Sequence, residues 1–252
     1  MKVGSREWGR KTGGALGFAD RLAFAAQSVE AVLLAKTAKY RRRFEKGMPR
    51  KVALPQIPES PVHAAAIAFC ESVSEPYLVN HCHRTFIWAT VLSQRDGLDF
   101  DAELLAVSCM LHDLGLAKPI REKRTEPCFA IAGAEEAADF ASRELKWNDV
   151  RCNQLAEAIS LHLNLVVTRS DGIEAHLLQA GAGLDVLGVR MSHVPHGLRD
   201  QVLANYPRHS QNSKLAEVCA HEAHAHPRSR MGFTFRHFGA QQRVERCPLE
   251  ST

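Results

Sequence analysis

The chain has 252 residues, enough for one substantial domain with extensions. Hydrophobic residues make up 45% and charged residues 24%, a globular balance that argues against a chain disordered throughout. The net charge of +4 is too small to make nucleic acid an expected partner.

Residues 1–17 are polar and rich in glycine and read as a disordered tail. Asp20 is a candidate cap for a helix running to about Gly47, with Leu22, Ala25, Val29, Val32 and Leu33 at helical spacing. Its end is basic (Lys36, Lys39, Arg41, Arg42, Arg43, Lys46), which suits the negative end of a helix dipole. Pro49, Pro55 and Pro58 then mark a linker. Ser60-Pro61 reads as an N-cap and first helical position, opening a helix to about Ser72. Helices from Tyr77 to Gln94 and from Asp99 or Asp101 to near Gly115 follow. Residues 117–131 read as a loop. Further helices are expected at Ala134–Leu145, Asn153–Asn164, Glu174–Leu187 and Asn212–Ala225, the region from Pro195 onward being less regular. No alternating strand pattern and no internal repeat is evident, so the fold class is all-α.

Seven cysteines, an odd number with no C-x-x-C pair, argue against a disulfide framework or a thiolate zinc knuckle. No stretch reaches the roughly 20 apolar residues that span a bilayer. Lys2, Arg6, Arg10 and Lys11 are not followed by a clean apolar leader. These features predict a cytoplasmic protein with reduced thiols.

The chemistry concentrates at His112-Asp113, where the apolar run Cys109-Met110-Leu111 stops before Gly115. Two adjacent ionisable side chains there are costly to bury, and a divalent cation compensates both, since imidazole and carboxylate are good ligands. Other ligand-type residues lie on inward helical faces. His162 follows Leu155 by seven residues and Ile159 by three, and Asp185 follows Leu178 by seven. His81 shares a face with Leu78, Thr85 and Trp88, while His83 fits one with Val79, Phe86 and Ile87; periodicity does not choose between them. The run His221-Glu222-Ala223-His224-Ala225-His226 lacks the H-E-x-x-H spacing and reads as a surface cluster.

Five ordered elements carry a resemblance. They are Asn80-His81-Cys82-His83-Arg84-Thr85, Leu111-His112-Asp113-Leu114-Gly115-Leu116, Gly133-Ala134-Glu135-Glu136-Ala137, Ala158-Ile159-Ser160-Leu161-His162, and Gly183-Leu184-Asp185-Val186-Leu187-Gly188. Together they resemble the HD-domain superfamily of metal-dependent hydrolases, and within it the cyanamide hydratase-like branch. The resemblance implies an HD-domain helical bundle over residues 56–240, with an N-terminal tail and basic helix in 1–55 and a C-terminal tail in 241–252. It selects His81 over His83, because Arg84 keeps the family's His-to-Arg spacing. It implies that His81, His112, Asp113 and Asp185 hold one divalent metal, with zinc, iron and manganese all compatible.

The implied reaction uses metal-activated water on a small molecule such as cyanamide or a nitrile. Asp113 is the expected proton acceptor, His162 a proton shuttle or ligand of a second metal, and Lys118 a stabiliser of negative charge. The chain departs from the family at Phe129-Ala130-Ile131, where relatives carry Phe-Glu-Val. Phosphohydrolases of the superfamily often place Ile-Gly-Lys after the doublet, where this chain has Leu-Gly-Leu. A nucleotide or phosphomonoester phosphohydrolase is the alternative, drawing on Arg84, Lys118 and Arg121–Arg124 for phosphate; a non-catalytic metal-stabilised module is a third. The expected partner is a small-molecule substrate. The apolar face of the first helix is available to the core or to a second copy in a homo-oligomer.

Overall fold

A computed structural model describes residues 1–27, 29–30, 54–123 and 128–250. The described residues contain helices and no strand, only an isolated bridge between Ala15 and Ser229. The fold is all-α, as the periodicity predicts.

The elements follow from local signals. α1 is Arg6–Thr12, and α2 begins at residue 18 and is helical through 27. α3 is Pro61–Val73, α4 Pro76–Asp96, α5 Ala102–Leu111, α6 Lys118–Arg121 and α7 Phe129–Arg143. α8 is Asp149–Leu161, α9 Ile173–Leu187, α10 His196–Asn205, α11 Gln211–Ala225, α12 Arg230–Phe238 and α13 Ala240–Glu245. Ser60 caps α3 by accepting from His63 N, Asp101 caps α5 through Leu104 N, and Asn148 caps α8 through Arg151 N, each supplying an acceptor to an otherwise unpaired amide. Asp20 lies inside α2, where its carboxylate accepts from Gly17 N. The basic end expected for this helix lies outside the described residues.

α5 is the centre of the bundle. Every side chain from Leu104 to Leu111 is buried, so the helix has no solvent face and must be enclosed. α3, α7, α8 and α9 pack around it in one apolar cluster. α9 also lies along α4, and Gly181 permits the approach: a Cβ there would overlap the Thr85 carbonyl on α4. The last buried turn of α5 therefore delivers His112 and Asp113 into the protein interior.

Three expectations change. Residues 117–131, expected as a loop, carry α6 and the start of α7. The first 17 residues are not a loose tail: α1 buries Trp8, and Arg6 and Arg10 both grip Glu135 of α7. The C-terminal third is helical, with Val202, Cys247 and Leu249 packed on Ile87, Trp88 and Leu92 of α4. All seven cysteines are buried and unpaired by disulfides. Among the described residues no helix is long and apolar enough to cross a membrane.

Candidate metal centre

The centre is assembled from three helices. His81 comes from the first half of α4. His112 is the C-cap of α5, and Asp113 follows it with φ −105° and ψ 14°, leaving the helix for a 3-10 turn at Leu114–Leu116. His162 is the C-cap of α8. Position matters here, because the last carbonyls of a helix have no amide to bond. His112 Nδ1 donates to the Cys109 carbonyl at 2.8 Å, and His162 Nδ1 donates to the Ile159 carbonyl at 2.6 Å. Each imidazole satisfies its own helix end and is oriented by doing so.

His81 is fixed by a carboxylate: its Nδ1 donates to Asp185 Oδ2 at 2.8 Å. All three rings therefore carry their proton on Nδ1 and present Nε2 as an acceptor. The three Nε2 atoms converge on Asp113. His81 Nε2 is 3.5 Å and His112 Nε2 3.4 Å from Asp113 Oδ2, while His162 Nε2 is 3.6 Å from Oδ1. His81 Nε2 and His112 Nε2 are 3.1 Å apart. Two nitrogen lone pairs facing each other at that distance beside a carboxylate call for a cation. The ligand atoms of His81, His112 and Asp113 all lie within 4.8 Å of one another, and all three residues are buried. The donor set and the tautomers thus fit a divalent metal.

The electrostatics agree. Burial pushes the His112 imidazole below its ordinary value, against the pull of Asp113. Burial, helped by His112, pushes His162 down to about 3. Both rings are neutral at pH 7, the form that ligates metal or accepts a proton. Burial opposes ionisation of Asp113, but His112, His81 and His162 outweigh it and hold its carboxyl below the usual range.

Asp185, implied as a fourth ligand, stands on the far side of the His81 ring. Both its oxygens are occupied. Oδ1 accepts from Arg84 Nε and Trp88 Nε1, each at 2.8 Å, and Oδ2 accepts from His81 Nδ1 and from Gln211 Nε2 at 2.9 Å. Arg84 Nη2 reaches Oδ2 at 3.1 Å, and Arg208 Nη1 lies 3.5 Å from Oδ1. Burial works against its charge, yet Arg84 and His81 hold its carboxyl well below the usual range. Sequence reasoning missed Gln211 and Arg208; Trp88, seven residues after His81, was on the face already singled out.

Lys118 is not brought to the centre. Its side chain is 72% exposed, 3.9 Å from Glu122, because the 3-10 turn redirects the chain and α6 points it outward. His83 turns away and stacks on Tyr206 with ring centres 4.8 Å apart. Phe129 packs against His162 at 5.9 Å, and Ala130 beside it is fully buried. His221 and His224 are exposed.

Fold and site together define an all-helical protein with a buried His–His–Asp centre suited to one divalent cation. Residues 78–187 match the family model of the HD domain. The matched segment includes His81, His112, Asp113, His162 and Asp185 and supports the HD-domain superfamily, whose members are generally metal-dependent hydrolases. No curated protein matches the chain.

Proposed function

We propose that this chain is a metal-dependent hydrolase or hydratase acting on a small molecule, with cyanamide-like or nitrile-type compounds as the leading substrates. The observation that carries the reading is the convergence of three oriented Nε2 atoms on the buried Asp113 carboxylate. His81, His112 and Asp113 are the ligands, and zinc, iron or manganese would suit them. A divalent cation held there supplies Lewis-acid activation of water.

The residues then divide the work. Asp113 directs Oδ2 toward His81 and His112 and leaves Oδ1 facing His162. That leaves Oδ1 and His162 Nε2 as the pair that takes a proton from water and returns it to the substrate. On a nitrile carbon, water adds across the C≡N bond: a C–O bond forms, one π bond breaks, and the nitrogen receives the proton. The imidic acid so formed passes its O–H proton to nitrogen to give the amide, which for cyanamide is urea. Asp185 keeps His81 oriented, with Arg84 and Trp88 fixing the carboxylate behind it.

Two further observations favour this branch over phosphoryl chemistry. Leu116 stands where phosphohydrolases often carry lysine, and it is buried against Tyr77 and Leu78. Two of the cations expected to hold a phosphate are placed otherwise: Arg84 is committed to Asp185 and Lys118 faces solvent.

The test is turnover by metal-loaded protein of cyanamide and of small nitriles with and without a carboxylate, read as urea or amide, beside mononucleotides and phosphomonoesters, read as phosphate. Urea or amide formation supports the proposal; phosphate release alone, or no turnover at all, overturns it. His162→Ala is expected to keep its metal and lose about 10²–10⁴-fold in rate. That result also excludes a purely structural metal.

A further inference from the structure

Arg230 opens α12 and is only 1% exposed. Its Nη1 donates to Asn164 Oδ1 at 2.8 Å, and its guanidinium carbon lies 5.7 Å from the centre of the Trp8 ring. Among the described residues its Nε and Nη2 have no oxygen or nitrogen partner, nor does the indole Nε1 of Trp8, itself 1% exposed. Among the described residues no carboxylate pairs with Arg230. Glu157 accepts from the Arg6 backbone N–H at 2.6 Å, and the Cys128 thiol beside the guanidinium is a weak hydrogen-bonding contact, not a carboxylate counterion. Burial pushes the guanidinium below its ordinary value, as expected for a cation without a counterion. A buried charge left in this state is strongly unfavourable.

The identity of the orphaned atoms points to the missing partner. Nε–H and one Nη2–H of a guanidinium lie parallel and form the edge that grips two-oxygen anions bidentately. The Trp8 N–H is a third donor, and neither residue offers an acceptor. Water would satisfy the hydrogen bonds but leave the charge. A single cation, with Lys2 already paired to Asp171, matches a monoanion better than a phosphate dianion.

We propose that Arg230 and Trp8 form a binding recess for a carboxylate. Asn164, which shares Arg230 Nη1, follows His162 by two residues, and its N–H closes a turn on the Leu161 carbonyl at 2.8 Å. The recess thus adjoins the proton-carrying histidine. On the metal-hydrolase reading, from which this step alone follows, the carboxylate belongs to the substrate. The substrate class then narrows to small nitriles or related electrophiles that carry a carboxylate, which cyanamide lacks.

The experiment is calorimetric titration and thermal melting of the full-length, metal-loaded chain with sodium formate and acetate, against sodium chloride at equal ionic strength and inorganic phosphate. Saturable binding of formate or acetate beyond the chloride effect is expected. Arg230→Lys keeps the charge but loses the fork and is expected to weaken that binding at least tenfold; Trp8→Phe keeps the ring but loses the N–H and is expected to weaken it severalfold. Equal responses to chloride and formate, preference for phosphate, or unchanged affinity in either variant overturns the recess. Should Arg230→Lys fail to fold, Trp8→Phe decides the matter alone. Metal content and turnover measured on the same samples separate the two proposals. Carboxylate binding by a chain that holds no metal overturns the hydrolase reading alone; metal-dependent turnover without carboxylate binding overturns the recess alone.

Discussion

A helix C-cap is an economical place for a ligand histidine. His112 and His162 each donate Nδ1–H to a carbonyl of their own last turn, so the chain that ends the helix also sets the tautomer. The doublet and His162 were legible for this reason, since an apolar helix that ends in an ionisable residue announces itself. The surroundings of Asp185 were not. Its partners Arg208 and Gln211 come from 23 and 26 residues further along, and no local pattern ties them to it. Lys118 shows the opposite failure: closeness in sequence to the doublet does not survive the 3-10 turn between them. Asp185→Asn tests the orienting role. As a residue acting through His81, it is expected to weaken metal affinity about 10–100-fold without abolishing binding. Metal titration of the variant reads this, and complete loss would make Asp185 a ligand.

At the scale of elements, the 3-10 turn after α5 is locked onto α7 by small residues. A Cβ on Gly115 would overlap the Phe129 carbonyl, and one on Gly133 would lie 2.9 Å from Gly115 N. Gly115→Ala is expected to cost about 1–3 kcal/mol by overpacking and to displace the doublet; chemical denaturation and metal content measure both effects. The helices with a capping residue before an apolar run, α3 and α5, were readable from sequence. α1 was not, because seven residues make a marginal helix in isolation and only tertiary contacts hold it. The available signals were the Ser5 cap, the glycine at position 13 that ends the helix, and a tryptophan in a polar stretch. Glu135 supplies the other contact. Burial opposes its charge, but hydrogen bonds from Arg6 and Arg10 draw its carboxyl from 4.5 down to about 2. A folded value below the unfolded one stabilises the protein above about pH 4.5, and that contribution disappears as pH falls toward 2. Glu135→Gln is therefore expected to destabilise by on the order of 1 kcal/mol at pH 7, with the difference vanishing near pH 2. Paired melts of the two proteins across that range check the sign.

For the whole molecule, the centre reaches beyond the segment that matches the HD domain. Arg84 donates to the Tyr206 and Pro207 carbonyls at 2.7 and 3.2 Å, and Gln211 reaches Asp185 from α11. At the opposite end of the chain, Asn164 Nδ2 donates to the Val3 carbonyl at 2.8 Å beside Arg230. Segments on both sides of the matched stretch thus close on the central helices, and the fold class, though not this closure, was legible in the helical periodicity. The claim on which everything else depends is that His81, His112 and Asp113 bind a divalent ion. It is tested most directly by elemental analysis of natively purified protein beside His112→Ala and Asp113→Asn, each confirmed folded by circular dichroism. One divalent ion per chain is expected in the parent and close to none in either variant; a folded parent without metal, or variants that retain it in full, would overturn the metal assignment.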